Sequence, residues 1–202
     1  MGAIPLFSIS PWYTSRGSCD GPATILRRPP FGLKARATLR AMDDLAVIER
    51  QLGRPPRGLV AVSARCPYGR PAVVRQSSYL DDGEPFPTTF YLTCPAAVAA
   101  VSALEDAGGV GRYERLVESD DAAAASYRWG AERQRRIREP ASAMLDDGAS
   151  LETGIGGCTH HGAIKCLHAH AAFAVAEPGY ELGRAILAEA APLYPAEGCC
   201  SA

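Results

Sequence analysis

The sequence predicts an α+β domain: a small antiparallel sheet of about three strands with helices packed on one face. Three observations lead to it. Strand-forming residues concentrate between about Gly58 and Thr93, separated by short turns. The segments on either side repeat their apolar positions at helical spacing. Hydrophobic residues make up 47% and charged residues 21% of the 202, ordinary for a chain that buries a core without disulfides or metal.

Taken in order, residues 1–36 are rich in Pro, Gly and Ser and hold no sustained period. We read them as an irregular or disordered arm. A single domain follows over 37–192, with a frayed tail over 193–202. Leu39, Met42, Leu45, Ile48 and Leu52 give the first helix its apolar face, with Thr38 as N-cap and Gly53 as its stop. Gly58 to Ala64 is expected as the first strand. The turn Cys66-Pro67-Tyr68-Gly69 leads to a second at Ala72-Val73-Val74. Asp81-Asp82-Gly83 marks another turn, and Thr88 to Thr93 is the third strand. Such short connections favour an antiparallel meander.

Pro95 suits the first turn of the next helix. Val98, Val101 and Leu104 form its inner face, and Gly108-Gly109 stops it. A longer helix runs from about Tyr113 to Glu139, with a break at Asp120-Asp121. After the loop Gly154-Ile155-Gly156-Gly157, helices are expected over Ala163 to Val175 and Glu181 to Ala190.

Composition excludes several function classes. A formal net charge of -1 gives no bulk electrostatic reason to bind nucleic acid or an anionic membrane. No apolar run reaches the roughly 18–20 residues of a membrane span. The N-terminus lacks the basic start and apolar stretch of a signal peptide, so a cytoplasmic location is expected. Seven cysteines are then expected as thiols, catalytic groups or metal ligands rather than disulfides.

The segment Cys158 to His170 holds all four histidines and two of the cysteines. On a helix from Ala163, Cys166 and His170 stand at i and i+4 and share a face. His168 turns away from them by about 200°. A cysteine near a helix N-terminus favours its thiolate. Thiolate and imidazole together make either a pair of zinc ligands or a nucleophile and its base. Cys66 and Cys94 sit at the ends of expected strands, where sites are commonly assembled. If they converge on Cys166 and His170, three thiolates and one imidazole complete a tetrahedral zinc set, with His168 in reserve. An iron–sulfur cluster is a minor variant. Two other readings stay open. Cys166 could be the nucleophile of a thiol-dependent enzyme with His170 as its base or acid. The motif could also be core packing in a non-catalytic interaction module.

Other features carry less. Cys158, Cys199 and Cys200 read as loop and tail residues, and Cys19 falls in the arm. The glycine loop with Lys165 lacks the Gly-Lys-Ser/Thr of a P-loop and reads as a connection. Arg133, Arg135, Arg136 and Arg138 read as a solvated helix face, diluted by Glu132 and Glu139.

Three blocks carry a family resemblance: Arg65-Cys66-Pro67-Tyr68-Gly69, the run from Pro85 to Pro95, and Lys165-Cys166-Leu167-His168-Ala169-His170. With Gly53 to Gly58, they resemble the DUF501 family, a bacterial domain of unknown function, over about Leu45 to Gly183. The resemblance implies a bacterial cytoplasmic protein and co-occurrence of Cys66, Cys94 and the Cys166–His170 block. It implies no mechanism. Many members have a cysteine where this chain has Tyr68 and a histidine where it has Phe173. If those positions are ligands in relatives, two ligands are missing here. Partners and oligomeric state follow neither from the residues nor from the resemblance.

Overall fold

β-branched and aromatic residues between tight turns build the sheet. In a computed structural model of the chain, β1 (Leu59–Arg65), β2 (Pro71–Gln76) and β3 (Phe90–Leu92) form an antiparallel meander in the order β1-β2-β3. The structure describes residues 43–80, 82–142, 153–160 and 162–200. The expected arm over 1–36, the Thr38 cap, His161 and Asp81 lie outside the described residues. Pro71 opens β2, a strand position where a missing N–H is tolerated. The turn before it closes through Gly69 N–H to Cys66 O and Cys66 N–H to Arg70 O, both 2.9 Å.

Among the described residues, six helices complete the α+β architecture. Residues 43–52 form α1, tied to the sheet by Gln51 Nε2 donating to Pro71 O and by the Arg65–Asp44 ion pair. Then come α2 (Pro95–Asp106), α3 (Gly109–Ser119), α4 (Asp121–Ser142), α5 (Leu167–Ala176) and α6 (Glu181–Glu189). A short 3-10 turn spans Ile155–Gly157. The break expected near Asp120 is present. Asp120 adopts extended backbone, and its carboxylate accepts the Ala123 N–H at 2.7 Å, capping α4.

The core is built around α5. Leu167, His170, Ala171, Ala172, Phe173 and Ala174 are all buried, so this helix is covered nearly all round instead of along one stripe. One side packs on the sheet, closest to β3, where Phe173 meets Phe90 edge-on at 5.5 Å. The other sides meet α2 and α6. Phe173 therefore serves as a core aromatic, a role that accounts for it without any ligand function.

Of the tail expected as frayed over 193–202, the described residues 193–200 are held against the body. The Tyr68 hydroxyl donates to Pro195 O at 2.6 Å and accepts the Gly198 N–H at 3.0 Å. Leu193, Tyr194 and Cys199 pack against the core. Sequence composition alone conceals this, because the anchoring hydroxyl comes from the β1–β2 turn.

Gly183 lets α6 approach α5. A Cβ there would lie 2.5 Å from Tyr180 Cδ1, 2.6 Å from Ala174 Cβ and 2.8 Å from His170 O. Backbone and a buried ring surround the position, so none of these atoms yields cheaply. Gly183→Ala is expected to destabilise the fold by about 1–3 kcal/mol or more through overpacking, measured as a lower urea midpoint. An unchanged midpoint would contradict the packing described.

Candidate metal centre

α5 starts at Leu167, later than the Ala-rich pattern suggests. Gly162 lies in the left-handed region at φ +83°, and Cys166 is extended at φ -161°, ψ 124°. Between them, tertiary hydrogen bonds replace helical ones. Ile164 N–H donates to Glu114 Oε1 at 3.1 Å, and Lys165 Nζ donates to Gly157 O at 2.8 Å. Cys166 is thus the residue before the first helical turn. The i, i+4 relation to His170 does not apply to an extended residue, and the two side chains take different directions.

Cys166 meets His168 instead. Its Sγ lies 3.6 Å from His168 Nδ1, and the same nitrogen lies 3.2 Å from Glu105 Oε1. Among the described residues, Glu105, Cys166 and His168 are the one group of three Cys, His, Asp or Glu side chains with ligand atoms all within 4.8 Å of one another. Glu105 comes from the last turn of α2. It is held by the Leu167 N–H, which donates to its Oε1 at 2.5 Å. A carboxylate at the N-terminus of a helix satisfies an orphan donor and complements the helix dipole.

The other ring nitrogen fixes the chemistry. His168 Nε2 lies 3.1 Å from Val98 O and 3.2 Å from Ser102 Oγ. A carbonyl only accepts, so Nε2 carries a hydrogen and donates it. In a neutral ring Nδ1 then presents a lone pair to a carboxylate and a sulfur. Three electron-rich atoms so placed need a proton or a cation between them. Hydrogen bonding to Cys166 is the main cause that pushes the His168 imidazole up to about 9; burial opposes it, and the charges of Cys166 and Glu105 add to it. A cation bound here would displace that proton. Side-chain exposures of 23% for His168 and 26% for Glu105 leave the cluster open to solvent.

The other expected site residues lie elsewhere. His170 is fully buried. Its Nδ1 is hydrogen-bonded to the Tyr180 hydroxyl at 2.6 Å, and its ring stacks on Tyr127 at 6.1 Å. Burial pushes its imidazole down to about 4. Cys66 and Cys94 are both buried in the main core. Cys94 lies 3.5 Å from Cys200, sulfur to sulfur. The expected quartet of Cys66, Cys94, Cys166 and His170 therefore does not converge among the described residues. The structure brings Cys166 and the reserve residue His168 together, and adds Glu105.

The glycine loop and the arginine run have structural partners. Gly154 N–H donates to Cys158 O, and Gly157 N–H to Gly154 O, so these donors close the loop on itself. Arg133 pairs with Glu177, Arg135 and Arg136 with Glu132, and buried Arg138 donates to Pro87 O. A cavity of about 410 Å³ opens beside α4, lined among others by Tyr127, Arg128, Cys158 and His160. It is separate from the Glu105–Cys166–His168 cluster. No described helix is long and apolar enough to cross a membrane.

Sequence reasoning missed Glu105 and Ser102. Spacing could not reveal them, because they stand more than sixty positions before His168. A weaker signal was present. Glu105 and Asp106 close α2 at the end where the helix dipole disfavours acids, which marks a carboxylate employed elsewhere. Glu105→Ala strips the acceptor from the buried start of α5. We expect a loss of about 1–3 kcal/mol in urea unfolding, with faster amide exchange at Leu167. Unchanged exchange there would show that the carboxylate does not cap the helix.

Comparison with known proteins gives one match. A family model described as "Protein of unknown function (DUF501)" matches residues 62–187, which includes most of the sheet, the Glu105–Cys166–His168 cluster and most of α6. Neither the curated proteins nor the solved structures gave a match. The family model covers well over half of the sequence, from within β1 to within α6, and the chain belongs to the DUF501 family.

Proposed function

We propose that this protein is a zinc-binding domain whose site is Glu105, Cys166 and His168. The observation that carries the reading is the distance set around His168 Nδ1. Two zinc ligands at about 2.0–2.3 Å, seen at a tetrahedral angle, stand about 3.3 Å apart for N and O and about 3.6 Å apart for N and S. The corresponding distances here are 3.2 Å and 3.6 Å. The distant nitrogen already donates to a backbone carbonyl, as ligating histidines usually do. A mixed S, N, O set suits zinc, and a single thiolate is a poor iron–sulfur set. Three protein ligands at a partly exposed position leave room for a water, the arrangement of catalytic zinc and not of closed structural zinc.

Element analysis of protein purified without a histidine tag tests this. About one zinc per chain is expected in the wild type. Cys166→Ser, His168→Ala and Glu105→Gln should each weaken zinc binding more than about tenfold, while Cys94→Ser should leave it unchanged. Trace, substoichiometric metal in the wild type would overturn the proposal.

A second reading rests on the same 3.6 Å contact between Cys166 and His168. Without metal, Cys166 would act as a nucleophile with His168 as the adjoining base, and Glu105 would share the same ring nitrogen, Nδ1. Here His168 takes the role the sequence suggested for His170. In zinc-free protein, alkylation of Cys166 should then outpace a model thiol, and His168→Gln should slow it at least about tenfold. Alkylation at the model rate in both would rule out an activated thiol.

A further inference from the structure

The C-terminal segment returns to the core and brings a second thiol to Cys94. Cys94 is the residue before α2 and is buried at 1% exposure, whereas Cys200 is exposed. Their sulfurs lie 3.5 Å apart. A disulfide requires about 2.05 Å, so a movement of about 1.5 Å separates the two states. The segment that must make this movement is already in position. Tyr68 grips it at Pro195 and Gly198, and Leu193, Tyr194 and Cys199 pack against the core. Cys199 is adjacent in sequence, and Cys94 meets Cys200 from 106 positions away.

We propose that Cys94 and Cys200 form a thiol pair that hydroperoxides convert to an intramolecular disulfide, fastening the C-terminal segment to the start of α2. The chemistry divides by exposure. Cys200 meets solvent, so its sulfur attacks the peroxide first. The O–O bond breaks, Cys200 becomes a sulfenic acid, and an alcohol or water leaves. Cys94 then attacks the Cys200 sulfur. The S–S bond forms, the S–O bond breaks, and water departs with the Cys94 proton. Two thiols have given up two electrons, and the peroxide has been reduced. Burial pushes the Cys94 thiol up to about 11, against the backbone N–H groups of Ala97 and Ala96, which act the other way. It therefore stays protonated and resists direct oxidation, and its part in the second step comes from its contact with Cys200.

Peptide mapping of the reduced full-length protein after exposure to hydrogen peroxide, without reductant in the digest, tests this. The expected main product is a disulfide-linked peptide pair containing Cys94 and Cys200, with two hydrogens lost and with reversal by dithiothreitol. Cys199→Ser should give the same linkage, and Cys200→Ser should abolish it. A Cys199–Cys200 linkage, a linkage between two chains, or oxidation of Cys200 to the sulfinic acid with Cys94 unmodified would each overturn it. The wild-type protein carries the decisive measurement, so the outcome does not depend on any variant folding.

Discussion

A buried helix has no water to satisfy its first N–H groups, and in this protein that constraint falls on α5. The helix is ten residues long and covered by the sheet on one side and by α2 and α6 on others. Its first N–H, at Leu167, is received by the carboxylate of Glu105, and the Ile164 N–H just upstream by Glu114. Both acceptors arrive from other helices. Cys166, at the N-cap position, makes no capping bond with its own side chain. The start of the central helix is therefore completed by tertiary contacts and not by its local sequence.

The same requirement produces the chemistry of the cluster. A carboxylate brought in to receive Leu167 stands beside the residue that follows, His168. The Val98 carbonyl turns that ring so that its other nitrogen faces Glu105 and Cys166. A polar group recruited to satisfy backbone is thereby placed to share a proton or a cation. Small residues make the close approach possible. At Gly109 a Cβ would lie 2.8 Å from Leu167 Cδ1 and 2.6 Å from Leu104 O, so the α2–α3 turn can press against the start of α5. Stability and site are thus built from the same few contacts.

Local chemistry was legible and long-range satisfaction was not. The strand-forming residues and short turns between Gly58 and Thr93 pointed to the three strands and their antiparallel order, because strand and turn signals are short-range. Pro95, Gly108-Gly109 and Asp120 marked helix ends for the same reason. The beginning of α5 was misread because Ala163, Ile164 and Lys165 fit a helix by propensity and pattern. Their actual partners are Glu114, Gly157 and Tyr127, whose hydroxyl donates to Ala163 O. Once that boundary moved, the helical phase linking Cys166 to His170 no longer held. His170 and Phe173 became core residues beside Tyr180. Cys94 and Cys200 were individually visible, but the contact between them depends on the Tyr68 hydroxyl, 127 positions before Pro195.

The position of Glu105 relative to α5 also bears on the unfolded chain. Its oxygen reaches an amide 62 residues further along the sequence. An ion shared by Glu105, Cys166 and His168 would close a loop of that size as a removable cross-link. Such closure takes conformational freedom mainly from the denatured ensemble, and the loss grows only slowly with loop length. By mass action, each tenfold rise in available ion above its dissociation constant would add about 1.4 kcal/mol to the folded state. The resistance of the whole domain to unfolding would then follow the ion supply of its surroundings, through one carboxylate at the end of one helix.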